Sequence, residues 1–142
     1  FLMQTVQIAV VLALGALIFG YRPTGSLVAL AVVLLSFSAV LSALGVALAL
    51  WSRSRDAALS LSNIIGMLAA GIGGSFSTVS SFPDWAQHAA RLSPAYWAIT
   101  AIHEVSLDGA SLADVGARIG VLWGFFAVIA GLALIQFRYH RE

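Results

Sequence analysis

The chain has neither cysteine nor lysine, and only 9% of its 142 residues are charged. Without cysteine it can form no disulfide, no thiolate metal site and no cysteine nucleophile. Without lysine it cannot carry the Gly-Lys-Ser/Thr end of a phosphate-binding loop, which excludes nucleotide hydrolysis by that route. A net charge of +1 leaves no basic surface for nucleic acid, so no nucleic-acid partner is expected.

The same scarcity of charge excludes a water-soluble globule. Soluble domains carry about 25% charged residues, whereas this chain is 61% hydrophobic and has a mean hydropathy of +0.98. Too few polar side chains remain to coat a folded chain in water, so lipid must be the solvent. The composition therefore predicts an integral membrane protein that is in contact with membrane lipid.

Four apolar runs have the length of membrane-spanning helices. A helix needs about 20 residues to cross a hydrocarbon core of about 30 Å, and the runs cover residues 2–19, 27–51, 57–74 and 115–137. The prediction is an all-α membrane protein with four spans. Since no basic segment precedes the first run, we expect no signal peptide and interpret the chain as the C-terminal part of a longer polypeptide.

Capping and turn residues set the predicted helix ends. Glycine and proline within residues 20–25 stop the first helix. Ser26 is the expected N-cap of the second helix and Asp56 that of the third. Ser111 with Asp114 fits a capping box ahead of the last run.

Small residues recur at every fourth position of the third run and form a stripe on one helix face. The stripe consists of Ala58, Ser62, Gly66, Ala70 and Gly74. Asn63 lies beside this face on the same helix, and its amide needs a hydrogen-bond partner in lipid. A packing seam and a polar-lined substrate path both fit this face, and the seam is favoured. The candidate residues of the path or seam are Ser62, Asn63, Gly66 and Ala70. A second stripe, which also predicts close packing, consists of Gly116, Gly120 and Gly124.

Residues 75–114 interrupt the apolar sequence before the last run. Two short helices are predicted to begin at Pro83 and Pro94, because proline's missing N–H costs nothing in a first turn. Ser81 and Asp84 fit a capping box at the first of them. The segment also holds an aromatic group typical of a membrane–water interface, formed by Trp85, Tyr96 and Trp97. We therefore predict two re-entrant or interfacial helices in an external segment.

Arginines near the run ends favour one orientation. Arg53 and Arg55 follow the second run. Arg138 and Arg141 follow the last run, and four spans put both pairs on one side. The positive-inside rule then places that side, with the C-terminus, in the cytoplasm. We interpret Arg53 and Arg55 as a cytoplasmic topological anchor, with a surface for a cytoplasmic partner as the alternative.

Two motifs resemble catalytic sites, but each lacks a partner. Ser75 follows two glycines as a nucleophile would, yet Ser77 stands where the elbow motif requires glycine. His103 and Glu104 open like a zinc-binding helix, but Leu107 replaces the second histidine. The sequence therefore predicts no catalytic, cofactor-binding or metal-binding residue. Glu104 is either paired inside the membrane, where a lone charge is costly, or solvated beyond it.

Four short motifs occur in an order that resembles one family. They are RSRDA at residues 53–57, FPDW at 82–85, LSPAY at 92–96 and GASL at 109–112. Together with the order of the spans, they resemble the C-terminal half of a type-2 ABC exporter permease. Such permeases are the membrane subunits of drug, lipid or polysaccharide efflux systems. The resemblance covers essentially the whole chain.

The resemblance implies six spans per permease, of which the first two would precede this chain. It implies two permease units, identical or different, and two ATPase subunits that hold ATP and magnesium. The expected location is the bacterial inner membrane. The family's main contact with the ATPase lies between spans two and three, before Phe1.

Between the last two spans the family has two short re-entrant helices, which the resemblance makes the external closure of the path. The candidate residues of this external gate are Pro83, Trp85, Pro94, Tyr96 and Glu104. The chain departs from the family pattern at the end of the third run. There GGSFST at residues 73–78 contains no proline.

Two other functions fit parts of the sequence. Half of an ion-coupled secondary transporter would use an intramembrane carboxylate, for which Glu104 is the candidate. An intramembrane serine hydrolase would use Ser75 as nucleophile and a histidine as base.

Overall fold

Six α-helices make up most of the computed structural model, which describes residues 1–19 and 25–139. These residues contain no strand, so the predicted all-α class is confirmed. The helices are α1 (Leu2–Phe19), α2 (Leu27–Trp51), α3 (Arg55–Ile72), α4 (Asp84–Ala90), α5 (Pro94–Leu107) and α6 (Gly116–Tyr139). A single 3-10 turn, Val79–Ser81, precedes α4.

Two of these helices are long and apolar enough to cross a membrane. They are α2 and α6, with 25 and 24 residues. Helix α1 has 18 residues, and its segment Leu2–Leu14 is apolar. Helix α3 opens with Arg55 and Asp56, which lower its apolar content. Spanning by α2 and α6 is thus supported by length and composition, and the count of four spans stays a prediction.

The boundaries of the four long helices lie within two residues of the predicted run ends, and a cap explains the difference at the start of α3. Ser26 caps α2 as predicted, since its hydroxyl accepts from the Ala29 N–H at 3.3 Å. The prediction that Asp56 caps α3 is wrong. Ser54 accepts from the Ala57 N–H at 3.2 Å and so starts the helix at Arg55. The turn predicted for residues 20–25 falls mostly outside the described residues.

Neither predicted capping box forms in full. The Ser81–Asp84 box is wrong, because Ser81 donates its hydroxyl to the Thr78 carbonyl at 2.7 Å within the 3-10 turn. Helix α4 instead begins at Asp84, with Pro83 in the preceding position. The Ser111–Asp114 box forms in half: the Asp114 carboxylate accepts at 2.8 Å from the N–H of Ser111, but the Ser111 hydroxyl donates to the same carboxylate, and α6 begins only at Gly116.

Helix α2 is the centre of the bundle and packs against α1, α3, α5 and α6. Small side chains let α5 come close to it. Ala98, Ala101 and Val105 of α5 are completely buried. Near the end at which α2 begins, the core consists of Ala29, Leu30, Val33, Ala101, Val105 and Val115. A second core further along α2 consists of Val40, Ala98 and Leu122.

These two cores fix the course of α5. Val105 packs with Ala29 near the start of α2, whereas Ala98 packs with Val40, eleven residues further on. At a rise of 1.5 Å per residue, that separation is about 17 Å along α2. Helix α5 therefore runs antiparallel to the first half of α2 and begins beside its middle. This packing favours the re-entrant over the interfacial form of the prediction for α5.

The helical glycines of the two stripes have open space beside them in the described chain. A Cβ added at Gly66 of α3 would have no neighbour within 4 Å, and the same holds for Gly116, Gly120 and Gly124 of α6. Close packing at these glycines stays a prediction.

Candidate functional site

The start of α5 is fixed to the end of α3 by a close backbone approach. A Cβ at Gly73 would lie 2.8 Å from the Ala95 Cβ and 2.9 Å from the Tyr96 nitrogen, so glycine is required by space. The Ser93 hydroxyl, buried at this junction, donates to the Ala69 carbonyl of α3 at 2.9 Å. The same carbonyl also accepts from the Gly73 N–H at 2.8 Å, so the last turn of α3 and Ser93 share one acceptor. Ser93 therefore joins two helices instead of capping its own.

The other end of α5 is fixed to the segment that enters α2. The Gly25 N–H donates to the Val105 carbonyl at 2.9 Å. A Cβ at Gly25 would come within 2.7 Å of the Ala110 carbonyl oxygen, so this contact also depends on glycine. Helix α5 is thus held at both ends by main-chain contacts.

An ion pair joins α5 to α6. The Arg118 guanidinium donates from Nε to Glu104 Oε2 at 2.7 Å and from Nη2 to Oε1. The side chains are 26% and 27% exposed, so the pair is mostly shielded by the helices. Such a two-point geometry holds both side chains in a fixed orientation. Glu104 therefore has a partner, and the expectation that it lies inside the membrane stays a prediction.

Arg118 was not among the residues selected from the sequence, although a signal was present. Glu104 lies four residues before Asp108, the residue that caps the end of α5, and Arg118 is the third residue of α6. Two antiparallel helices joined by a short loop bring such positions to the same level. A carboxylate and a guanidinium at matched distances from one turn, each in apolar surroundings, could have been paired on that basis.

The aromatic group predicted for this segment forms only in part. Tyr96 and Trp97 make an edge-to-face contact, with ring centroids 5.4 Å apart and planes at 85°. The Trp97 indole N–H donates to the Arg91 carbonyl at 2.8 Å and so fixes the corner between α4 and α5. Trp85 makes no ring contact with another described aromatic residue and is 75% exposed.

The remaining gate candidates take different positions. Pro83 is exposed ahead of α4, whereas Pro94 is half-buried and is the first residue of α5, as predicted. The structure therefore brings Pro94 and Tyr96 together at the start of α5. Glu104 stands at the other end of α5, and Pro83 with Trp85 stands on α4.

An apolar groove of about 880 Å³ lies beside the start of α5, next to the middle of α2. Walls from α2, α3, α5 and α6 enclose it, and the end of α4 forms one edge. Representative lining residues are Leu41, Leu44, Ala69, Leu92, Pro94 and Phe125. We call this space the central groove.

The four path candidates divide at the central groove. Gly66 and Ala70 line it. Ser62 is half-buried elsewhere on α3, and Asn63 is exposed. The four residues therefore do not form one continuous lining in the described chain.

The anchor and chemistry candidates lie apart from these contacts. Arg53 is exposed in the link between α2 and α3, and Arg55 is exposed as the first residue of α3. Ser75 lies just after α3, and His103 is exposed on α5. Among residues 1–19 and 25–139, no group of three or more metal-ligating side chains is assembled.

Comparison with known proteins gives one match. The model of a family described as ABC-2 family transporter protein matches residues 1–135. No curated protein and no solved structure matches the chain.

Proposed function

Because the chain belongs to the ABC-2 family of transporter proteins, we propose that it forms part of the permease of an ATP-driven exporter. Membership of the family makes the chain a membrane component of a transporter. The further steps, export and ATP dependence, belong to the proposal. The observation that supports them best is α5, which enters the bundle from the middle of α2 and is fixed at both ends.

In this proposal α5 closes the outer end of the transport path. It fills the space between α2 and α6 over the first half of α2, where Ala98, Ala101 and Val105 of α5 are completely buried. The Glu104–Arg118 pair holds α5 to α6, and the Gly73 contact holds it to α3. A displacement of α3 or α6 would therefore move α5 as well, which is what a gate driven from the opposite membrane face requires.

The energy source lies on other subunits. We infer that two ATPase subunits bind ATP with magnesium and that a second permease unit, identical or different, completes the path. Helices α1, α2 and α3 would line that path. We place the complex in the bacterial inner membrane with the C-terminus in the cytoplasm, where Arg53, Arg55 and Arg138 anchor the span ends.

Ion-coupled transport is less consistent with the site. A coupling carboxylate must release and rebind its ion, whereas both oxygens of Glu104 accept hydrogen bonds from Arg118. The family match also supports the ABC-type function over this one and over a serine hydrolase. Neither alternative is favoured by a separate observation.

The proposal is tested by the energy source of transport. Cells that express the full-length protein with its operon partners are loaded with a panel of fluorescent efflux substrates. We expect efflux to stop when ATP is depleted and to continue when a protonophore collapses the proton gradient while ATP is maintained. The opposite pattern, combined with loss of efflux in a Glu104→Gln variant, would establish ion coupling instead.

A further inference from the structure

A buried hydroxyl near the middle of α2 has no hydrogen-bond partner among the described residues. It belongs to Ser38, which is completely buried. The two neighbouring serines differ from it, since Ser36 donates to the Val32 carbonyl at 2.7 Å and Ser42 donates to the Ser38 carbonyl at 2.8 Å. Such a bond to the carbonyl four residues earlier is a common way for a helical serine to satisfy its hydroxyl. Ser38 makes no such bond and therefore keeps an unused donor.

Ser38 lines one end of an apolar groove between α1 and α2, which we call the α1–α2 groove. This groove has a volume of about 370 Å³. On α2 it extends from Leu27 to Ser38, a distance of eleven residues or about 17 Å. None of the described residues that line it is charged, and Thr5 is the one polar residue among them besides Ser38. Leu27 and Leu35 of its lining are exposed, so the groove is open on one side.

Among its described residues, α1 provides no acceptor for this hydroxyl. The Thr5 hydroxyl donates to the Phe1 carbonyl at 3.0 Å, at the start of α1. Gln4 is the neighbouring polar residue, and its Oε1 accepts from the Ser42 hydroxyl at 3.2 Å. Both side chains therefore have partners other than Ser38. An acceptor for Ser38 must come from outside the described residues.

Ser38 lies near the bilayer centre when α2 spans the membrane. It is the twelfth of the 25 residues of α2, a helix whose length and composition suit a span. From the centre, a hydrocarbon core of about 30 Å leaves about 15 Å to either headgroup layer. The core contains no water that could accept from a buried donor. Neither bulk water nor the headgroup of a phospholipid can therefore be the partner of Ser38.

The α1–α2 groove restricts the chemistry of a ligand in three ways. The ligand must carry an oxygen that accepts from Ser38, because the hydroxyl donor is what the protein leaves unused. It must be uncharged, since no charged side chain lines the groove and an unpaired charge at this depth is costly. Its apolar body must extend from the bilayer centre towards the start of α2, which is the reverse of a membrane lipid, whose polar group lies at the surface. An uncharged long-chain molecule with one acceptor oxygen meets all three conditions.

We propose that the α1–α2 groove binds an uncharged long-chain alcohol or ketone, whose oxygen accepts a hydrogen bond from Ser38. The apolar chain lies along the groove towards Leu27. Since Ser38 is completely buried, binding needs a small outward shift of α1, whose main packing partner is α2. The site is distinct from the central groove, with which it shares no lining residue. The inference rests on α2 spanning the membrane and not on export.

The test uses the full-length protein with its partner subunits in phosphatidylcholine vesicles. Two photoreactive probes, dodecanol and dodecane with a diazirine at the same chain position, are added at rising mole fractions. Mass spectrometry of the peptides of α1 and α2 gives the half-saturating mole fraction of each probe. The ratio of the dodecane value to the dodecanol value is compared between variants, which removes differences in how the probes partition into the bilayer. We expect Ser38→Ala to lower this ratio about tenfold, since it removes one hydrogen bond.

Two further variants locate the effect. Ser36→Ala should leave the ratio unchanged, because that buried hydroxyl on the same helix already donates to the Val32 carbonyl. Ala31→Phe should weaken labelling by both probes, because Ala31 is exposed and a larger side chain there fills the groove. An unchanged ratio in Ser38→Ala would overturn the proposal. So would undiminished dodecanol labelling in Ala31→Phe, or saturable labelling of neither helix, the result expected if another helix of the complex fills the groove.

Failure of this inference is distinguishable from failure of the proposed function. A complex that contains no ATPase subunit would refute the exporter role, while the labelling ratio remains measurable. An unchanged ratio in the Ser38→Ala variant of a complex that does hydrolyse ATP would refute only the site in the α1–α2 groove.

Discussion

Glu104 and Arg118 form a two-point ion pair although each occupies the less favourable end of its own helix. Glu104 is in the last turn of α5, where the helix dipole presents partial negative charge, and Arg118 is in the first turn of α6, where it presents partial positive charge. Neither charge therefore stabilises its helix end. Their placement is explained by the contact that they make with each other between α5 and α6.

Removing either partner should destabilise the junction of α5 and α6. We expect Glu104→Gln or Arg118→Gln to lower the free energy of unfolding by about 1–2 kcal/mol, because a partly shielded charge is left without its partner. Thermal unfolding of the purified full-length protein, followed by intrinsic tryptophan fluorescence, measures the loss. Arg53→Gln is the matched control, since Arg53 is exposed in a helix link.

Exchanging the two charges separates pairing from the helix dipoles. In the double variant Glu104→Arg/Arg118→Glu the pair can form again, and both charges now favour their helix ends. We expect its unfolding temperature to recover at least to that of the parent protein. A double variant less stable than both single variants would contradict the role assigned to the pair.

The two close glycine contacts make another prediction. At Gly73 and Gly25 an added methyl would press against backbone atoms of the α5 segment, which cannot move aside without displacing the helix. We expect Gly73→Ala or Gly25→Ala to cost about 2 kcal/mol or more, as overpacking does. Gly45→Ala is the control, since its Cβ would have no neighbour within 4 Å. Equal stability of all three variants would show that α5 does not make these contacts.

The loop before α6 should contribute stability that depends on pH. Hydrogen bonds from the backbone N–H and the hydroxyl of Ser111 hold the pKa of Asp114 below its ordinary value. A depressed pKa means that the folded state favours the carboxylate, so the stabilisation is present above the ordinary aspartate pKa of about 4 and is lost as the pH falls below it. Between pH 6 and pH 3.5 we expect the unfolding temperature of Asp114→Asn to fall less than that of the parent protein, because only the parent has this carboxylate to protonate. An unchanged pH dependence in the variant would contradict this.

Helix positions could be predicted from the sequence because apolar run length and capping chemistry are local. Helix α2 has its predicted bounds, since Ser26 caps it and a link with serine and arginine follows it. The failures at Asp56 and Ser81 have one cause, which is that a nearby group makes the hydrogen bond instead. At α3 the Ala57 N–H donates to Ser54 and not to Asp56. In the 3-10 turn the Ser81 hydroxyl donates to the Thr78 carbonyl and does not cap α4.

The arrangement of α5 could not be predicted from its sequence alone. Its alanines are compatible with a membrane surface and with a helix interior, and only contact with Val40 and Leu122 shows which applies. The partner of Glu104 depends likewise on the loop that brings α6 alongside α5. The small-residue stripes were visible in the sequence, but the described chain leaves open space at Gly66, Gly116, Gly120 and Gly124.

The exporter role is tested most directly by what accompanies the protein out of the membrane. The full-length protein, carrying an affinity tag, is purified from native membranes in a mild detergent, and the complex is assayed for ATP hydrolysis and analysed by mass spectrometry. We expect an ATPase subunit with a Gly-x-x-x-x-Gly-Lys-Ser/Thr motif, and hydrolysis that ends when the lysine of that motif is replaced. A stable, folded complex that contains no such subunit and hydrolyses no ATP would contradict the proposed function.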